Sequence, residues 1–153
     1  MAEIDEIVLF QDNEIHVYKG DKLHDANYDE DIIISIGRAS NDGSLRPNVL
    51  LRPLWNLKDT DEPRAYKEKF SPGDFFQQTF DSNNRPGSGS ILQDFLLANG
   101  DRYSIKNVYS TLKSEDGFDI SDPAIDFWKR RTVKRLAVFD DTLNRYKILF
   151  PQI

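Results

Sequence analysis

Short runs in which β-branched and aromatic residues alternate with polar ones dominate the first third of the chain. Ile7–Phe10 and Ile15–Lys19 predict the two strands of an opening hairpin, joined through Gln11-Asp12-Asn13. A polar, acidic connection follows. Asp31–Gly37, DIIISIG, is the most apolar run; its consecutive isoleucines predict a central strand covered on both faces. The turn sequence SNDGS (40–44) leads to another strand over Asn48–Trp55, with Pro47 and Pro53 at its limits.

The middle of the chain changes period. Asp59–Phe70 predicts a short helix, with Thr60 as cap, Asp61 and Glu62 early, and Lys67 and Lys69 late. Ser71-Pro72-Gly73-Asp74 predicts the cap of a second short helix bearing Phe76 and Phe80 at i, i+4 spacing. Residues 81–89, DSNNRPGSG, predict a flexible loop. Ser90–Leu112 admits two readings. Asn99-Gly100 between apolar runs suits a hairpin. A helix over Ile91–Ala98, capped by Ser90 and ended by Asn99-Gly100, separates polar from apolar positions better, with a strand over Arg102–Tyr109 after it. We adopt the helix.

After an acidic loop at 114–122, Ser121-Asp122-Pro123 opens a helix to about Arg131, with Ile125 and Trp128 on one side. Val133–Phe139 and Arg145–Phe150 predict a terminal hairpin around Asp140–Asn144, in which Leu136, Val138, Ile148 and Phe150 bury together. The whole predicts an α+β class: a strand-rich, curved, mostly antiparallel sheet of about six or seven strands, with about two to four short helices packed on one side. No direct parallel βαβ crossover is evident. A length of 153 residues predicts one globular domain over 1–153.

Composition narrows the class further. Aromatics make up 12% of the chain, too many for a disordered segment. Cysteine is absent, which removes disulfides and thiol chemistry. The acidic start MAEIDEIVLF lacks the features of a signal peptide, and no apolar run reaches the roughly 18 residues of a membrane helix. A soluble, cytoplasmic protein without membrane association is the expectation. The net charge of −6 hides a gradient: residues 1–35 carry ten acidic side chains against Lys19 and Lys22, a net of −8, whereas 129–147 carry a net of +5. A basic face inside an acidic chain suits an anionic partner.

Candidate chemistry is sparse. Two histidines, His16 and His24, and no cysteine leave no nucleophile triad and no ordinary zinc site, so no catalytic residue, metal or cofactor is assigned. His16 is expected on a strand face. Asp116, Asp119 and Asp122 lack the spacing of a calcium loop. Gly87-Ser88-Gly89, with Arg85 before it, is a candidate anion-binding turn, although it lacks the P-loop and dinucleotide patterns. The strongest surface candidate is Lys129, Arg130, Arg131, Lys134 and Arg135 beside Trp128, a set suited to an acidic protein surface or to nucleic acid. Trp128 also has the position of a core residue, and the cations can offset a helix dipole. The sequence therefore points to a small non-enzymatic protein-binding module of the inhibitor, immunity or phage-accessory kind. A nucleic-acid- or nucleotide-binding protein is the alternative, and an enzyme using carboxylates and arginines on a phosphate or sugar substrate is the third reading.

Overall fold

The computed structural model describes residues 5–20, 30–37, 47–55, 70–81, 87–110, 122–143 and 145–150. The turn at 40–44, the helix expected before Phe70 and most of the acidic 114–122 segment lie outside them. The chain divides into two compact units, Met1–Arg52 with Gln78–Ala98, and Pro53–Gln77 with Asn99–Ile153.

In the first unit, β1 (Glu6–Phe10), β2 (Asn13–Lys19), β3 (Ile32–Ile36) and β4 (Asn48–Pro53) pair antiparallel in sequence order. The β1–β2 turn is tighter than expected. Gln11 and Asp12 take φ of 48° and 61°, the left-handed pair that matches the twist of a two-residue hairpin. Pleat alternation then separates two faces. Ile15, Val17, Ile32, Ile34, Ile36, Val49 and Leu51 make an aliphatic patch on one face, all seven of them buried. Phe10 shares that face and meets Phe95 of helix α1 (Ser88–Asn99) edge-on at 5.6 Å. The opposite face carries His16, Tyr18, Ser35, Asn48 and Arg52, equally buried. DIIISIG is thus covered on both sides, as its pattern predicts.

In the second unit, β5 (Asp74–Asp81, of which 74–77 belong here) pairs parallel with β6 (Asn107–Tyr109). β6 pairs antiparallel with β8 (Arg145–Ile148), and β8 with β7 (Ala137–Asp140). Helix α2 spans Asp122–Val133, and its Trp128 stacks on Tyr146 of β8 at 6.0 Å. Among the described residues, eight strands, mostly antiparallel, and two short α-helices make this the strand-rich α+β fold that was expected.

Several local expectations are corrected. Residues 71–74 do not cap a helix. Pro72 and Gly73, the latter at φ 104°, form a turn closed by Asp74 N–H donating to Ser71 O at 3.0 Å, and β5 follows. Gly73 is required there: a Cβ would lie 2.8 Å from Lys106 Cγ, and its carbonyl accepts from Lys106 N–H at 2.8 Å. The parallel β5–β6 pair, with α1 between its strands in sequence, is the crossover that was not evident. Strand β5 already reaches Asp81, and α1 begins at Ser88, so the loop expected at 81–89 is shorter than its sequence suggested. The expected strand 102–109 begins instead as a 3-10 turn over Gly100–Tyr103 and is only three residues long. In the terminal hairpin Ile148 is buried as expected, but β7 is turned by one residue. Ala137, Tyr146 and Ile148 are buried, while Val138 is 37% exposed.

Candidate functional site

The turn Gly87-Ser88-Gly89 lies at the start of α1. Ile91 N–H donates to Gly87 O at 3.2 Å, which makes Gly87 the N-cap and Ser88, Gly89 and Ser90 the first three helical positions. Their N–H groups have no partner within the helix, and no acidic residue occupies the first turn to offset the positive dipole end. Gly87 has φ 83°, is exposed, and a Cβ there would meet nothing within 4 Å among the described residues. Ser88 is wholly buried, and its Oγ has no hydrogen-bond partner. Arg85 lies outside the described residues.

The basic cluster divides at the end of α2. Lys129, Arg130, Lys134 and Arg135 are exposed, as is Val133 at 83%. Arg131 is buried, as its position one turn after Trp128 requires. Trp128, 1% exposed, belongs to the core with Tyr146, on which it stacks, and meets the half-buried Phe127 edge-on. Both residues therefore leave the set expected to face a partner. The helix ends in a wrap in which Leu136 N–H donates to Arg131 O at 2.9 Å and Arg135 takes φ 61°. That left-handed position usually belongs to glycine.

Other polar groups close on one another. Arg52 grips Asp31 through Nε and Nη2 at 3.2 and 3.0 Å, both side chains buried, the two-pronged geometry that makes a desolvated pair tolerable. Arg145, fully buried, donates Nη1 to Ser110 O at 2.8 Å and sits 5.9 Å from the Phe76 ring centre. Asp74 accepts from Asn107 Nδ2 at 2.7 Å. On the same face, burial and then the Asp74 and Asp140 carboxylates push the Tyr109 phenol above its usual range, with Arg145 opposing. His16, on β2, is 2% exposed and bonds Glu14 through Nε2 at 3.1 Å. Pattern reading missed the Asp31–Arg52 pair and Arg145. The available signal was an arginine inside an otherwise apolar strand, which requires a buried acceptor. Among the described residues, no group of three or more histidines and carboxylates could hold a metal ion, and no helix is long and apolar enough to cross a membrane.

No family model and no curated protein matches the sequence. Two solved structures of TofI are similar in part. One, in a ternary complex with an inhibitor and MTA, is 13% identical with a TM-score of 0.40, over 83% of this chain and 67% of that one. The apo form is 13% identical with a TM-score of 0.35, over 82% and 69%. At these values the properties of TofI are not carried over.

Proposed function

We propose that this chain binds a phosphate-bearing small molecule at the start of α1, with Gly87, Ser88 and Gly89 as the cradle and Arg85 as a counter-charge. The supporting observation is the buried, unpartnered Ser88 Oγ. It stands in a first turn with no acidic side chain and three N–H groups lacking helical partners. A hydroxyl and backbone donors at one helix N-terminus suit a phosphate oxygen. The test is calorimetric titration with inorganic pyrophosphate, ADP and coenzyme A, comparing wild type with Ser90→Asp. Aspartate in the first turn favours the helix but repels an anion. Binding by the wild type that is lost in a fully folded Ser90→Asp variant is expected. Equal binding by both, or none by the wild type, would refute the site.

A second reading, a protein-binding module that docks an acidic partner surface, has its own support. Arg135 holds a backbone conformation that costs roughly 1–2 kcal/mol for a residue with a Cβ. The cost is tolerated beside three further exposed cations and an exposed Val133. Replacing Lys129, Arg130 and Lys134 by Glu should abolish capture of the partner and leave the melt nearly intact, exposed charges contributing about 1 kcal/mol each or less. Loss of the partner on nuclease treatment would instead indicate nucleic acid.

A further inference from the structure

On the polar face of the first unit, β2 and β3 bring His16 opposite Ser35, and β1 brings Ile7 opposite His16 and Leu9 opposite Glu14. Ser35 Oγ donates to Gly37 O at 2.8 Å, and both Asp31 oxygens accept from Arg52. His16 differs. Its Nε2 lies 3.1 Å from Glu14 Oε1, while its Nδ1 is buried with no hydrogen-bond partner. An ionised carboxylate can only accept, so in the neutral imidazole Glu14 fixes the hydrogen on Nε2 and leaves a lone pair on Nδ1. A buried acceptor facing no donor costs free energy, and a native fold usually supplies the missing partner. Beside it, Ile7 and Leu9 remain 55% and 74% exposed on the same face.

We propose that this face is a second binding site, for a small molecule that presents an N–H or O–H donor to His16 Nδ1 and rests an apolar body on Ile7 and Leu9. Glu14, its side chain 66% exposed, is the positioning residue that holds the imidazole in the accepting tautomer. The site is independent of the phosphate cradle at α1.

The experiment is nuclear magnetic resonance of the full chain labelled with 15N-histidine; His24→Gln assigns the two rings. In the unliganded protein, Nε2 should carry the hydrogen and Nδ1 none. Three probes are then titrated. 1-Butanol and diethyl ether are isomers, of which only the alcohol is a donor, and n-butylamine offers an ammonium group. His16 Nδ1 should shift saturably with butanol, with butylamine or with both, and the better donor should bind about three- to tenfold tighter than the ether. Comparing the amine with the alcohol identifies the donor class. Leu9→Lys, at an exposed position, should weaken the response without lowering the melting point. His16→Phe should melt no lower than wild type, since it removes the orphan acceptor; if it fails to fold, the wild-type titration decides alone. A hydrogen found on Nδ1 in the unliganded protein, an equal response to ether and alcohol, or no response to any probe would overturn the proposal.

Discussion

Helices α1 and α2 are equal in length, twelve residues each, and opposite in how their ends are treated. Helix α2 carries Arg130 and Arg131 in its last turn, where cations offset the negative end of the dipole. Helix α1 has neither an acid in its first turn nor a base in its last. Part of the basic cluster is thus explained by the helix that bears it. The bare, glycine-rich start of α1 has no such internal explanation. A cluster conspicuous in sequence is the weaker evidence for a ligand here, and an absence of charge is the stronger.

That contrast can be broken at several strengths. The helices should be alike in their anchors: Trp128→Ala and Phe95→Ala should each cost about 3–5 kcal/mol in urea unfolding. A loss under about 1 kcal/mol at either site would show that helix to be loosely held. At the end of α2, Arg135→Gly should stabilise by roughly 1–2 kcal/mol, since glycine relieves the left-handed strain. A destabilised variant would mean that the Arg135 side chain has a structural role. At the start of α1, Ser90→Asp should raise stability by about 0.3–1 kcal/mol, a gain that added salt reduces. An unchanged melt would show that the positive end is already answered. The smallest effect belongs to Tyr109. Its folded pKa lies above the ordinary 10.0, so its contribution is whole below pH 10 and is lost as pH rises through the folded value. Tyr109→Phe should flatten the alkaline decline in stability and change nothing at pH 7, as read from melts across the pH range.

Much of the fold was legible in the residues, and the failures have physical causes. Isoleucine at both pleat phases identified β3, and Asn99-Gly100 marked the end of α1, where the 3-10 turn takes over. The spacing of Phe76 and Phe80 misled: four residues is about one helical turn and also two strand repeats, so it favours neither period. Partners thirty-three residues apart, Asp74 and Asn107, decided for the strand. In the terminal hairpin, the left-handed turn at Arg135 delays β7 to Ala137 and inverts which of its side chains face inward, while Ile148 of β8 is buried as expected. The glycine turn at 87–89 and the cations at 129–135 could be named from composition, but not the burial of Arg131. Orphan atoms such as Ser88 Oγ and His16 Nδ1 are invisible to pattern, because a sequence does not show which hydrogen bonds will go unmade.

The parallel β5–β6 ladder also has a consequence for how the chain reaches this state. Hairpins β1–β2 and β7–β8 close over turns of a few residues. The ladder must instead join segments separated by the whole of α1, a larger loss of chain entropy before any bond forms. The hairpins should therefore assemble early and the ladder late, with Phe75 and Phe76 unprotected in the interval. Trp55, edge-on to Phe75 at 5.1 Å, is a reporter for that step. In a Trp128→Phe background, its fluorescence should recover more slowly than the sheet signal in circular dichroism; simultaneous recovery would mean the ladder forms with the hairpins. If the delay is real, refolding yield should fall as protein concentration rises, since two adjacent phenylalanines on an unpaired strand invite pairing with another chain.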